Sequence, residues 1–369
     1  MLARGTNSDE DLQTRMYSPR LLALSILLAL TCSGCALHIH RNPPPPPGFE
    51  YTAPQAAAEI FRIPEEYPVT LGNPIEQTRF HDVLPFSFRS SGHNGHPENL
   101  VEGRYLRSRG EGRKSLVVVM PIWGTSTYPP QKISYGYARH AGEDTHVIWM
   151  YGSAPLFPWH ELSSAPSEEA FVRMARDSAE RYRSAVLDMR RLIDWASTRE
   201  EIDSSRIAFV GFSMSALVTT TLLANEPRIA GAVLMMGGAN FADIFTACGN
   251  RAGEVRSHVL RTFGWTIEQY HEFFEGLFGP ADPNRFPGHF DPDRILMIDT
   301  MFDDCMPETA RAALWEITGH PERITLLYRH RSAFYSLTPL GLNASRRWIY
   351  RFLDRVLGTE HALSARHDG

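Results

Sequence analysis

The residue whose surroundings most clearly suit chemistry is Ser213. It stands in Arg206-Ile207-Ala208-Phe209-Val210-Gly211-Phe212-Ser213-Met214-Ser215, an apolar run with a small residue two positions to either side of the serine. The pattern predicts a strand that turns sharply into a helix, with the serine hydroxyl projecting from the carboxyl edge of a sheet. Small flanking residues are needed because strand and helix backbones nearly touch at such a corner. A helix that begins at the next residue offers unpaired N–H groups and a positive dipole end, both suited to a developing oxyanion. The hydroxyl is a weak nucleophile at neutral pH, so the chemistry needs a base within hydrogen-bond reach and a carboxylate to orient it. The plainer alternative is a serine that only caps its helix.

Gly211-Phe212-Ser213-Met214-Ser215, followed by a helix and by Ile229-Ala230-Gly231-Ala232-Val233-Leu234, resembles the nucleophile elbow of the α/β-hydrolase family. The likeness is to secreted esterases and to dienelactone-hydrolase-like or prolyl-peptidase-like members. The family pattern ends in glycine; Ser215 is small enough for the turn but adds a hydroxyl that must be satisfied. The resemblance implies a triad in the chain order Ser, Asp, His. The run Ile295 to Ile298 is followed by Asp299-Thr300-Met301-Phe302-Asp303-Asp304-Cys305-Met306-Pro307. In the family the acid typically stands four residues before a helix-opening proline, which selects Asp303. Asp304 is the close alternative, and Asp299 reads as a strand-end or turn residue. For the base, His330 follows the last strand, whereas His320 precedes that strand and belongs at the wrong end of the sheet. Arg329, where the family often has glycine, and Arg331 flank His330, and their charges oppose an imidazolium unless they point away or meet carboxylates. The oxyanion donors implied are the backbone N–H groups of Met214 and of Trp123, with Ile122 next, in Pro121-Ile122-Trp123-Gly124. This mechanism requires no metal and no organic cofactor.

The elements that must position these residues are legible as alternating runs. Ser115 to Met120, Thr145 to Met150, Arg206 to Val210, Ile229 to Met236, Ile295 to Ile298 and Ile324 to Tyr328 predict strands, the first of them a continuous apolar run suited to burial on both faces. Glu168 to Trp195 predicts a long helix, since Tyr182, Ala185, Met189, Leu192 and Ala196 recur every three or four residues. Trp348, Ile349, Phe352, Leu353 and Val356 mark a closing helix. The fold class expected is α/β: a mainly parallel sheet flanked by helices, with antiparallel strands from Tyr51 to Arg109 at one edge. Residues 240–290 read as a helical cap insertion rich in aromatics (Phe241, Phe245, Phe263, Trp265, Tyr270, Phe273, Phe274, Phe278), either a lid over a pocket or helices packed on the sheet. Trp159 and His160, after the second strand, either border the site or pack at the surface. The body is expected to span 51–362, with a polar tail over 363–369.

Composition narrows the function. The chain has 369 residues, 43% hydrophobic and 21% charged, with a net charge of −5, which excludes a mainly disordered chain and gives no basic excess for nucleic acid. A mean hydropathy of −0.26 excludes a multi-span membrane protein. No phosphate-binding loop, zinc spacing or His-Glu-x-x-His motif occurs.

The N-terminus carries a different signal. Leu21 to Leu30 is too short to span a bilayer and reads as the apolar core of a signal peptide. Thr31-Cys32-Ser33-Gly34-Cys35 resembles the lipobox of bacterial lipoproteins, except that Cys32 occupies a usually aliphatic position. That resemblance implies cleavage before Cys35, lipidation of its thiol and attachment to a lipid bilayer in the cell envelope; an ordinary cleaved leader and a secreted protein is the alternative. Residues 1–15 lack a basic character, so Met16 competes with Met1 as the start. Residues 36–50, with Pro43 to Pro47, read as a spacer between anchor and body. His38 and His40 read as solvated rather than metal-binding. Cys248 and Cys305 remain after processing; spacing does not decide whether they pair, and free buried thiols are the expectation. Together these readings describe an envelope-anchored serine hydrolase for a small ester. A peptidase of the same fold, or a non-catalytic envelope lipoprotein, is the alternative.

Overall fold

The computed structural model describes residues 36–40, 43–63, 68–90, 100–123, 128–152, 155–341 and 343–359. Among them the strands are β1 (Ala36–His40), β2 (Thr70–Leu71), β3 (Glu76–Gln77), β4 (His81–Arg89), β5 (Leu100–Ser108), β6 (Lys114–Val119), β7 (Thr145–Met150), β8 (Ile202–Phe212), β9 (Ile229–Met235), β10 (Ile295–Thr300) and β11 (Glu322–Leu326). They form one sheet in the order β1-β11-β10-β9-β8-β6-β7-β5-β4-β2, with β3 on β4. From β7 to β11 every neighbouring pair is parallel. β5, β4, β2 and β3 add an antiparallel edge, as the region between Tyr51 and Arg109 predicts.

The helices are α1 (Tyr128–Ala141), α2 (Trp159–Leu162), α3 (Glu168–Ser197), α4 (Met214–Leu223), α5 (Phe241–Ala247), α6 (Arg251–Thr262), α7 (Ile267–Phe278), α8 (Glu308–Ile317) and α9 (Ala344–Leu357). Alternation along the buried strands sorts side chains to two cores. Val117, Val119, Ala208 and Val210 pack with Ile133 and Tyr137 of α1 and with Ile349 and Leu353 of α9. Leu116, Val118 and Phe209 face the opposite core with Val186 and Leu192 of α3, Leu222 of α4 and the cap. Burial on both faces is why these strands lack polar alternation. α3 starts where Ser167 accepts a hydrogen bond from the Ala170 N–H at 3.3 Å. Its apolar stripe, with Tyr182, Met189 and Leu192, is buried against the sheet.

Two expectations are corrected. Residues 36–50 are not a free spacer: Ala36–His40 pairs antiparallel with β11, Ala36 opposite Leu326 and His40 opposite Arg323. The segment after it also lies on the body. The Pro44 carbonyl accepts from His320 Nδ1 at 2.8 Å, and the Phe49 ring covers Gly319, whose φ is 80°. Alternation in Leu37-His38-Ile39-His40 satisfies a strand, and the prolines add nothing that extends the chain away from the body. The second correction concerns a helix: α1 lies where no helix was expected, whereas α8 begins directly after Pro307, as the helix-opening proline implies. Residues 1–35 and 360–369, including the leader and the whole polar tail, fall outside the described residues.

Candidate active site

Only Ser213 separates β8 from α4, and it adopts φ 53° and ψ −116°. A non-glycine residue in this region costs about 1–3 kcal/mol and persists only when its surroundings hold it. Here the Ser213 N–H donates to the Met235 carbonyl at 2.8 Å, and the Ser213 carbonyl accepts from Ala216 N–H at 2.8 Å. Gly211 makes the corner possible: a Cβ there would lie 2.6 Å from the Ser215 carbonyl oxygen and 2.9 Å from Ala216 Cα. The additional hydroxyl of Ser215 is fully used. Its Oγ accepts from the Phe212 N–H at 2.8 Å and donates to the Phe212 carbonyl at 3.0 Å, pinning the corner from inside.

Ser213 Oγ lies 2.8 Å from His330 Nε2. His330 Nδ1 in turn lies 2.9 Å and 3.0 Å from Oδ1 and Oδ2 of Asp303. Ser213, marked by the elbow, Asp303, favoured by its spacing to Pro307, and His330, marked by its place after the last strand, therefore meet in one hydrogen-bonded relay. Asp303 heads a tight turn in which its Oδ1 accepts from the backbone N–H of Cys305 at 2.9 Å and of Met306 at 2.7 Å, while Oδ2 accepts from Thr300 Oγ1 at 2.7 Å. Burial alone would raise the Asp303 carboxyl, but its hydrogen bond and charge contact with His330, the Met306 N–H and the Thr300 hydroxyl together hold it below the ordinary value.

The competing residues occupy other roles. Asp304 is exposed and stands 3.9 Å from Arg329. Asp299 is fully buried inside β10 rather than in a turn, paired with Arg323 Nε at 2.7 Å, and burial pushes its carboxyl up. His320 stacks on Trp315 and bonds Glu316, away from Ser213. Arg329 and Arg331 are both exposed, and Arg329 meets a carboxylate, so neither caps the base.

The acid turn has supports that the sequence reading missed. Arg311 of α8 is buried and donates from Nη1 to the Thr300 carbonyl at 2.6 Å and from Nε to the Met306 carbonyl at 3.1 Å, holding both ends of the turn. Cys305 is bonded to Cys248, which corrects the expectation of free thiols. The geometry that spacing could not reveal is the approach of the acid turn to the end of α5, where the Gly249 N–H also donates to the Asp304 carbonyl at 2.9 Å. Pro307, four residues after Asp303, was the only sequence mark of this turn.

Met214 is the first residue of α4, so its N–H has no carbonyl one turn earlier to donate to. Ile122 and Trp123 follow β6, the strand next to β8, and residues 124–127 lie outside the described residues. Gly152 lets the end of β7 approach this loop, since a Cβ there would meet Trp123 Cδ1 at 3.0 Å. A cleft at this edge is lined by Trp123, Met150, Tyr151, Leu156, Arg181 and Asp188. Its lining reaches from β5 and β7 to α3 and includes none of the three relay residues.

In the cap, Phe245 stacks on Phe274 with centroids 4.5 Å apart, Phe241 packs edge-on to Tyr182, and Phe157 joins Phe245 with Trp159 stacked behind it. Phe241, Phe245, Tyr270, Phe274 and Phe278 are buried, so these rings build the cap's core and its contact with α3 rather than an open pocket wall.

No family model and no curated protein matches the sequence. Solved structures do. Over 78% of this chain and 88% of its own, an acetyl xylan esterase from Paenibacillus sp. R4 superposes with TM-score 0.51 at 17% identity. The acylaminoacyl peptidase of Pyrococcus horikoshii superposes with TM-score 0.50 at 11% identity over 75% of this chain and 42% of its own. The fold is that of the α/β-hydrolases. At these identities the likeness concerns architecture, and chemistry must be argued from the site.

Proposed function

We propose that the chain is a serine hydrolase acting on carboxylic esters, anchored by lipid at Cys35 in a bacterial cell envelope. The observation that carries the chemistry is the Ser213–His330–Asp303 relay, each link within 3.0 Å. His330 Nε2 takes the Ser213 proton as Oγ attacks the ester carbonyl carbon. Asp303 fixes the Nδ1–H tautomer and stabilises the imidazolium. The tetrahedral oxyanion is met by the N–H groups of Met214 and Trp123. Its collapse breaks the bond to the leaving alkoxide, which receives the proton from His330 and leaves an acyl-enzyme. Water then attacks the acyl carbon, giving its proton to His330, and the acid is released with Ser213 regenerated. The cleft beside Trp123 takes one side of the ester. The Cys35 motif supports the anchor.

A fluorophosphonate probe tests the nucleophile: labelling of the wild type that vanishes in Ser213→Ala is the expected result. An unlabelled, folded wild type would instead indicate a scaffold used for binding. A panel of esters of graded chain length defines the substrate. Peptide amides belong beside them because one fold neighbour is a peptidase, and turnover of amides alone would replace the ester reading.

A further inference from the structure

β1 enters the sheet with its first residue at the catalytic edge. Ala36 is opposite Leu326, the last residue of β11, and the chain reaches His330 only four residues later. Around that point several large apolar side chains are exposed among charged ones. Met301 and Phe302 follow β10, their N–H groups donating to the Leu326 and Tyr328 carbonyls, and Phe302 is 58% exposed. Tyr335 and Leu340, in the 3₁₀ turns after His330, are 59% and 79% exposed. Beside them stand the exposed Arg329 and Arg331, to which the relay assigns no role; Arg329 lies 3.9 Å from the exposed Asp304.

We infer that this carboxyl edge is a membrane-docking face, seated on the headgroup layer of an anionic bilayer, so that Ser213 receives esters carried in that layer. The inference rests on the proposed lipidation of Cys35. With lipid on Cys35, one peptide unit of about 3.8 Å separates the anchored residue from the sheet, which is too short to swing the body away from the surface. β1, β11 and β10 are consecutive strands about 4.8 Å apart, so Ala36 lies within about 10 Å of the Thr300–Met301 end of β10. Large exposed aliphatic and aromatic side chains gain free energy by entering the interface, where tyrosine sits at headgroup depth, and arginines pair with anionic headgroups. An anchor and an apolar-cationic face at the same edge act as two linked membrane signals, the second made intramolecular by the first.

The test uses the processed protein reconstituted in vesicles of phosphatidylglycerol and phosphatidylethanolamine. Mass analysis of the mature N-terminus first reports lipid on Cys35; an unmodified Cys35 overturns the docked geometry, while turnover of a water-soluble ester still reports the hydrolase reading separately. On lipidated protein, a thiol-reactive fluorophore is placed by Leu340→Cys, or at the opposite edge by Glu111→Cys. With Cys248 and Cys305 bonded to each other, the engineered thiol is the one labelled. Docking predicts that the probe at 340 is quenched by nitroxide lipids and shielded from iodide, while the probe at 111 stays open to iodide. Equal iodide access at both positions overturns the proposal, as does shielding at 340 without vesicles at the mass of a dimer. The variant Leu340→Asp should lose about tenfold in turnover of a vesicle-borne ester and change turnover of a soluble ester less than about twofold. Equal losses on both substrates would overturn it.

Discussion

Gly211 and Ser215 show how little freedom the nucleophile's corner has. A methyl at 211 would lie 2.6 Å from the Ser215 carbonyl, so Gly211→Ala must shift α4 relative to β8. The expected outcome is a kcat loss on a soluble ester well beyond any change in KM, because the Ser213 to His330 distance is set by that corner; unchanged kcat would show that the corner is not rigid. Ser215→Ala removes both hydrogen bonds to Phe212 and should cost about 1–3 kcal/mol in urea unfolding, the penalty of leaving buried polar groups unpaired. At the acid, Asp303→Asn should lower kcat by about 10⁴-fold through the wrong imidazole tautomer, and Asp304→Asn by little. If only the Asp304 variant is inactive, the acid is misassigned. The pH dependence has a definite sign. A carboxyl held below its ordinary 3.8 stabilises the fold fully above that value, and this stabilisation is lost as pH falls through the depressed native value. The raised carboxyl of Asp299 works in the opposite direction, binding its proton more readily in the folded chain. Between pH 7 and acid conditions, the urea midpoint of the wild type should therefore fall further than that of Asp303→Asn; equal falls would contradict the assignment.

The acid turn is an element held from three sides, by β10, by Arg311 and by the cystine. Replacing Arg311 with methionine strands the Thr300 and Met306 carbonyls, and each buried orphan costs about 1–3 kcal/mol. Reducing Cys248–Cys305 releases the turn from α5 and frees a loop of 57 residues, worth about 2–4 kcal/mol. Both changes should lower the thermal midpoint and kcat together, since Asp303 loses its backbone donors. A reduced protein with wild-type kcat and melting would remove the cystine from the site's support. None of these supports is legible in the chain: a separation in sequence does not fix the approach of two thiols, and a buried arginine looks like any other arginine until its carbonyl partners are placed. The buried strands are legible for the converse reason, because Leu116-Val117-Val118-Val119 and Ile295-Leu296-Met297-Ile298 suit burial on both faces. The relay was readable because the elbow marks Ser213, the spacing to Pro307 favours Asp303 over Asp304, and the place after the last strand marks His330. α1 is hidden by its Tyr128-Pro129-Pro130 start.

At the scale of the molecule, the sheet has two unlike ends. One is the antiparallel set β5, β4, β2 and β3; the other is β1 alone, laid over β11. Among the described residues no helix is long and apolar enough to cross a membrane. β11 leads directly into His330, so whatever covers its outer edge also steadies the base. A chain begun at residue 43 would leave the β11 backbone groups unpaired along an open edge, a template for association with other chains. Such a truncation should melt at a lower temperature than a chain begun at residue 36, scatter light on warming, and lose kcat on a soluble ester as the His330 segment loosens. Equal melting temperatures for the two chains would mean that β1 contributes nothing to the sheet. If melting falls while kcat at 25 °C is retained, β1 is a cover for the edge alone, and His330 is positioned by Asp303 and the 3₁₀ turns that follow it.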